Sequence, residues 1–253
     1  MSKWINFTDR LIHLLRIKTS PVAVKIFRKG EDIPTNIRHP TEPLTFCQFT
    51  YISRVHKEPL LGTFSDIVCA YAQAFLGFAD FPEDLYEGKR SAGRRTETAE
   101  AYKRILSDMP KIESGTTEAV LTSPLERTHV DPDVILLYVT PGQITPLLHA
   151  ATWKSGERVT VRTAAEAGTC GEGVAATYIL KRPTIAFPCS GTRRYGQVED
   201  EELIFALPGF MMDEFMDWLE KVCEYSPYPV RRQIEFTPRP PQLYYIRREP
   251  FPE

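Results

Sequence analysis

The residues DPDVILLYVTPGQITPLLHAATW, which span 131–153, form the clearest strand-to-helix unit in the chain. Val134 to Val139 is a continuous apolar run of the kind found inside a sheet. Thr140, Pro141 and Gln143 then supply an N-cap, a first-turn proline and a capping-box partner for a helix. This unit predicts a buried strand that is followed directly by a helix.

The same alternation extends on both sides of this unit. Further strands are predicted over 21–27 (PVAVKIF), 117–124 (TEAVLTSP), 158–162 (RVTVR), 183–189 (PTIAFPC) and 202–208 (ELIFALP). Helices are predicted over 4–17, 47–55, 65–78 and 96–109, from Thr169 onward, and over 209–222. Because strands and helices alternate through most of the chain, the predicted fold class is α/β, with a mixed sheet flanked by helices.

The chain is predicted to be a single α/β domain over 1–225 with a proline-rich C-terminal arm over 226–253. Within the domain, PVAVKIF followed by CAYAQAFLGF is echoed by VILLYV followed by CGEGVAATYIL. This echo predicts two pseudo-symmetric halves, 1–115 and 116–225, around a central cleft. The arm is expected to pack on the body or on a neighbouring subunit, which favours a homodimer.

The charge balance disfavours two classes of partner. The 253 residues include 31 Lys and Arg against 33 Asp and Glu, a net charge of −2, so no strong field would recruit nucleic acid or an anionic membrane. The N-terminus lacks the apolar core of a signal peptide, and no run approaches the roughly 18 apolar residues of a membrane span. We therefore expect a cytoplasmic protein.

Four of the five cysteines, Cys47, Cys69, Cys170 and Cys189, lie in two similar local settings, one in each half of the chain. Cys69 and Cys170 are predicted in the first turn of a helix, where backbone amides and the helix dipole favour thiolate over thiol. Four thiolates would suit an iron–sulfur cluster or another thiolate-bound metal such as zinc. No C-x-x-C motif is present, however, and inert buried thiols are the alternative interpretation.

Cys170 is also a candidate catalytic nucleophile. Gly168, Gly171 and Gly173 surround it, so backbone amides could stabilise a thiolate or a substrate oxyanion at the helix start. The same glycines could equally form only a tight entry into the helix. A cysteine enzyme also needs a base, and His149 is the one histidine expected in the α/β core.

A second candidate site follows the strand at 183–189. Ser190, Gly191, Arg193 and Arg194 form a hydroxyl-rich turn that could bind a carboxylate or a phosphate. Alternatively, the arginines pair with the acidic residues at 199–202. Because adjacent side chains point in different directions, we expect only one of the two arginines to face the cleft.

Lys25 interrupts an otherwise apolar predicted strand. A lysine buried there needs a carboxylate or a bound ligand, which makes it a candidate ligand-binding residue. An exposed position is the alternative. The Walker, GxGxxG, HExxH and GxSxG motifs do not occur in the sequence. Their absence disfavours nucleotide hydrolysis, Rossmann cofactor binding, zinc proteolysis and serine hydrolysis as functions.

The combination of PVAVKIF, the isolated Cys47 and Cys69, and PCSGTRRYGQVEDEELIFALP (188–208) resembles the DUF169 family of uncharacterised bacterial and archaeal proteins. The resemblance runs from about Leu11 to Trp218, and the C-terminal segment is its most distinctive part. It carries an expectation about fold and leaves the chemistry open.

Three functions follow from these features. The leading hypothesis is a cysteine-ligated metal or iron–sulfur protein with a redox role on a small anionic substrate. The alternative is a non-catalytic protein that binds a small metabolite and whose cysteines are structural. The third is a transferase or reductase that depends on Cys170.

Overall fold

A computed structural model describes residues 2–230. Six strands are present in this part of the chain: β1 (Val22–Arg28), β2 (Leu60–Gly62), β3 (Thr117–Pro124), β4 (Val134–Val139), β5 (Thr184–Ala186) and β6 (Leu203–Pro208). They form one sheet in the order β2-β3-β1-β4-β6-β5, and each neighbouring pair is antiparallel. Together with the helices that flank this sheet, the strands confirm the α/β class. The prediction of a mixed sheet was wrong, since every neighbouring pair of these six strands is antiparallel.

Nine α-helices accompany the sheet within the described residues. They are α1 (Lys3–Leu15), α2 (Phe46–Tyr51), α3 (Ala70–Phe75), α4 (Glu83–Tyr86), α5 (Ala99–Asp108), α6 (Pro141–Thr152), α7 (Ala176–Leu180), α8 (Ser190–Gly196) and α9 (Met212–Tyr225). Two π-helices, Ile52–His56 and Gly168–Ala175, continue α2 and precede α7. Short 3₁₀ turns occur at Phe64–Asp66, Leu125–Arg127 and Gly209–Met211.

The central strand β4 is buried on both of its faces, which explains its continuous apolar run. Leu136 and Tyr138 belong to a core that also contains α2, α3, α5 and the π-helix Gly168–Ala175, and we call this side of the sheet the cysteine face. Ile135 and Leu137 point to the opposite face, where α1, α6 and α9 pack. The alternation follows from the two-residue period of a strand. The cysteine face is therefore the side on which the candidate site lies.

Three local predictions were wrong and one strand was not predicted. The segment 158–162 forms no strand, and its side chains are exposed except for that of Val159, which is half-buried. The segment 65–78 is α-helical only over α3, and SGTRRYG is the helix α8 and not a turn. Strand β2 was missed because its three residues, all paired with β3, are too few for a pattern of apolar residues to show.

The order of strands is the same in the two halves of the sheet. In each half the first strand lies at the centre, the third lies beside it and the second lies at the edge. The helices between the strands differ in length and type, since β1 is followed by α2 and a π-helix whereas β4 is followed by α6. The predicted pseudo-symmetry is therefore not confirmed.

The predicted domain bounds stay a prediction, and most of the arm at 226–253 lies outside the described residues. Within residues 2–230, none of the helices combines the length and the apolar character that a membrane crossing requires.

We expect Gln143→Ala to lower the free energy of unfolding by about 1–2 kcal/mol. The Gln143 side chain accepts the backbone N–H of Thr140 at 2.7 Å, which completes the capping box of α6. Its amide nitrogen also donates to the carbonyl oxygens of Leu15 and Arg16 at 2.8 and 3.3 Å, which joins the end of α1 to the start of α6. Urea denaturation measures the change. Thr145→Ala, at an exposed position of the same helix, is the control and should change the free energy by less than about 0.5 kcal/mol.

Candidate functional site

Four cysteines from four separate elements line one cavity on the cysteine face. Cys47 lies in the first turn of α2, and Cys170 lies in the π-helix Gly168–Ala175. Cys69 and Cys189 are the N-cap residues of α3 and α8. The cavity has a volume of about 310 Å³. Folding thus brings together thiols that are far apart in the sequence.

Local hydrogen bonds fix the segments that carry Cys47 and Cys69. A capping box between Thr45 and Gln48 fixes the start of α2, in which Cys47 is the second residue. The backbone N–H of Val68 donates to the carbonyl oxygen of Leu44 at 3.0 Å. This bond joins the residue before Cys69 to the segment that leads into α2. It therefore fixes the position of Cys69 relative to that of Cys47.

Thr192, a buried residue of α8, joins three of the cysteine-bearing segments. Its hydroxyl oxygen lies 3.2 Å from the sulfur of Cys189 and 3.8 Å from the sulfur of Cys47. The same oxygen is 3.0 Å from the hydroxyl of Thr169, the residue before Cys170. Because both sulfurs lie within 3.8 Å of one atom, the sulfurs of Cys47 and Cys189 are separated by less than twice that distance.

Burial raises the pKa of three of these thiols. The pKa of Cys47 is raised to about 12, first by desolvation and then by the neighbouring Cys189. Desolvation is also the main cause that raises the pKa of Cys69, and it raises the pKa of Cys170 well above its ordinary value. The expectation that the helix starts would favour thiolate at Cys69 and Cys170 was wrong, because removal from water outweighs the backbone amides.

The described side chains do not form a site for a single metal ion. Within residues 2–230, no group of three or more His, Cys, Asp and Glu side chains is arranged so that it could hold one. The five cysteines of the chain are free thiols. The fifth, Cys223, lies on α9 in the core of the opposite face and takes no part in the cavity.

Polar side chains line the more exposed part of the cavity. Ser190, Gly191 and Arg194 from α8 lie along it, and Arg95 contributes a second guanidinium. Arg193 points elsewhere, since its guanidinium donates to the carbonyl oxygen of Glu199 at 2.8 Å and pairs with Asp200. One arginine of the pair therefore reaches the cavity, as predicted.

Lys25 and His149 lie outside the set of residues that line the cavity. The ammonium of Lys25 pairs with Asp133 at 3.2 Å, and the other carboxylate oxygen of Asp133 accepts the backbone N–H of Ile26 at 2.8 Å. Lys25 is half-buried and has the carboxylate partner that its position in a strand requires. His149, on α6, lines a separate surface groove with Trp153, the residue after this helix.

Sequence reasoning missed a buried hydrogen-bond network beside the cysteines. Tyr71 on α3 lines the cavity, and its hydroxyl oxygen is 2.5 Å from that of Tyr102 on α5. The hydroxyl of Tyr102 donates to Glu166, whose other oxygen forms an ion pair with Arg95. Arg95 also donates to the hydroxyl of Ser190 at 3.0 Å. These residues come from four distant segments with no shared motif, so nothing in the sequence connected them.

Fold and site together define an α/β protein with a cavity lined by thiols at its buried end and by arginine, tyrosine and serine side chains at its exposed end. The chain belongs to the DUF169 family, described as uncharacterised ArCR, whose family model matches residues 10–217. This match confirms the resemblance that the sequence motifs indicate.

A similar curated protein is the uncharacterized protein MJ0308 of Methanocaldococcus jannaschii. It is 27% identical to this chain over 215 residues, which cover 83% of this chain and 91% of the relative. No solved structure matches the chain.

Proposed function

We propose that Cys47, Cys69, Cys170 and Cys189 hold an iron–sulfur cluster, and that the protein uses the cluster in a redox reaction on a small anionic substrate. The observation that supports this proposal is the convergence of the four thiols in one cavity. Iron–sulfur clusters are commonly held by four cysteine thiolates.

Ordinary core packing gives no reason for this convergence. A buried cysteine behaves as a small apolar side chain and can occupy any part of a core, as Cys223 does on the opposite face. The four cavity cysteines instead occupy the starts of four helical elements that share no sequence neighbourhood. A ligand that needs several thiolates is a physical reason for placing them together.

We propose a cluster and not a single ion, because a cluster can bind thiolates that lie farther apart. Four thiolates around one zinc ion lie about 2.3 Å from a common centre, and the described side chains do not form a group of that kind. A cluster contains several iron atoms, so it binds thiolates that lie farther apart. Its iron cations would also offset the repulsion between thiolates in a buried place.

The exposed end of the cavity supports the second part of the proposal. Arg194 and Ser190 offer a guanidinium and a hydroxyl to an anionic group, and Gly191 adds no side chain that would fill the space between them. These groups lie in the same cavity as the thiols, so a bound substrate would be next to the cluster. Cys170 acts as a ligand in this proposal and not as a nucleophile, since it is buried and no histidine within residues 2–230 lines the cavity.

Anaerobic purification tests the proposal. We expect brown protein with broad absorption in the visible range, together with iron and acid-labile sulfide. Separate Cys→Ala changes at positions 47, 69, 170 and 189 should each lower the iron content several-fold, whereas Cys223→Ala on α9 is the matched control and should leave it unchanged. Circular dichroism checks that each variant folds.

Colourless wild-type protein without iron, both as purified and after supply of iron and sulfide, would rule out the cluster. The non-catalytic metabolite-binding function would then remain. In that case the variant with all four cavity cysteines replaced by alanine should bind small anions as tightly as the wild type does.

A further inference from the structure

Tyr71, Tyr102 and Glu166 form a chain of hydrogen bonds, and Glu166 fixes the direction in which the two tyrosines donate. Glu166 is buried and forms an ion pair with Arg95, so its carboxylate accepts hydrogen bonds and donates none. Tyr102, which is fully buried, has a single O–H and donates it to Glu166. The oxygen of Tyr102 must therefore accept the hydrogen bond that joins it to Tyr71.

It follows that Tyr71 presents an acceptor to the cavity. The one O–H of Tyr71 is directed at Tyr102, 2.5 Å away, and is not available to a ligand. The Tyr71 oxygen keeps two lone pairs, and the hydroxyl of the buried Ser91 can donate to one of them. The other lone pair belongs to a side chain that lines the cavity. A ligand that contacts this oxygen must bring its own hydrogen-bond donor.

The charged side chains that line the cavity favour a ligand with a single negative charge. These side chains are Arg95, Arg194 and Glu166, so two positive charges face one negative charge. With the four cavity cysteines in the neutral thiol form, the balance is one net positive charge, which matches a carboxylate better than a phosphate dianion. Arg95 and Glu166 pair with each other, whereas Arg194 forms no ion pair within residues 2–230. The guanidinium of Arg194 can therefore bind a carboxylate through two N–H groups.

We propose that the ligand of this cavity is a small carboxylate that carries a hydroxyl or amino group, and that Tyr71 selects it by accepting a hydrogen bond from that group. Arg194 binds the carboxylate. This inference rests on the part of the proposed function that places a small anion in the cavity, and it does not depend on the cluster.

Matched pairs of probes test the selection by isothermal titration calorimetry. The pairs are propanoate with 2-hydroxypropanoate, propanoate with 3-hydroxypropanoate, and butanoate with 4-hydroxybutanoate; 2-oxopropanoate serves as a probe with an acceptor in place of the donor. For at least one pair we expect the wild type to bind the hydroxy acid about tenfold more tightly, which is the effect of one hydrogen bond. The hydroxy acid should also bind more tightly than the oxo acid.

Two variants separate the role of Tyr71 from general packing. Tyr71→Phe removes the acceptor, so the hydroxy and unsubstituted acids should bind equally. Tyr102→Phe leaves Tyr71 free to donate or accept. The ratio of the dissociation constant of the oxo acid to that of the hydroxy acid should then fall toward one. Tyr178→Phe, on α7 outside the cavity lining, is the control and should keep both preferences.

Equal binding of the paired probes by the wild type, an unchanged preference in Tyr71→Phe, or no binding of any probe would each overturn the inference. The iron content of the same preparations tests the cluster separately from the binding measurements. Iron-free protein that keeps the hydroxyl preference contradicts the cluster alone, whereas iron-containing protein that binds no probe contradicts only the inference about the ligand.

Discussion

Replacing Arg54 by alanine should lower the free energy of unfolding by about 3–5 kcal/mol, the effect expected when one member of a buried ion pair is removed. Arg54 lies in the π-helix Ile52–His56, and its side chain is 3% exposed. One guanidinium nitrogen lies 3.5 Å from the carboxylate of Glu202, which is 4% exposed. Without Arg54, the negative charge of Glu202 is left buried without its cation.

The second guanidinium nitrogen of Arg54 adds to this effect. It donates to the backbone carbonyl oxygens of Gly196 and Gln197 at 2.9 and 2.7 Å, and the guanidinium lies 4.5 Å from the ring centre of Tyr138. Gly196 is the last residue of α8, so Arg54 holds the end of the helix that carries Arg194 into the cavity. Loss of Arg54 should therefore also weaken the binding of anionic probes.

Guanidinium chloride denaturation measures the change in stability. Arg193→Ala is the matched control, because this arginine pairs with the fully exposed Asp200 and should contribute less than about 0.5 kcal/mol. Adding Glu202→Gln to Arg54→Ala removes the buried charge and should recover part of the loss. A loss in Arg54→Ala no larger than that of the control would contradict the buried ion pair.

The strands and long helices were predictable because their apolar patterns are local. The run at 134–139 and the cap at Thr140 specify β4 and α6 within one continuous segment, and both were confirmed. The apolar residues at three- and four-residue intervals were an equally clear signal for the helix predicted over 4–17, which is α1. Short elements failed because their stability comes from neighbours, as for β2, which is held by β3, or for α8, which is held by Arg54.

The site was predictable only in part. Cysteine is rare enough that each of its positions can be considered separately, and Arg194 and Ser190 stood out because they directly follow the strand predicted at 183–189. Tyr71, Tyr102 and Glu166 carry no such signal, since tyrosines and glutamates are common throughout the chain. Their roles depend on the distance between α3, α5 and the loop before the π-helix, which only the tertiary structure provides.

A methyl group at Gly168 is expected to destabilise the fold by about 1–3 kcal/mol, as overpacking does. A Cβ atom built on Gly168 would overlap the carbonyl oxygen of Phe187 and lie 3.0 Å from the backbone nitrogen of Cys189. Both atoms belong to the backbone, so the clash cannot be relieved by a side-chain rotation. The loop that carries Cys189 must move away from the π-helix that carries Cys170.

Gly168→Ala should for this reason change the site as well as the stability. Cys189 is half-buried, and displacement of its loop should raise the rate at which iodoacetamide alkylates it in metal-free protein, as followed by peptide mass spectrometry. Gly191→Ala is the control, because a Cβ there would meet only the sulfur of Cys189, at an ordinary 3.7 Å. The contradicting result is a Gly168→Ala variant that is as stable as this control and whose Cys189 reacts no faster than in the wild type. That result would show that the close packing of the two cysteine-bearing segments does not fix the cavity.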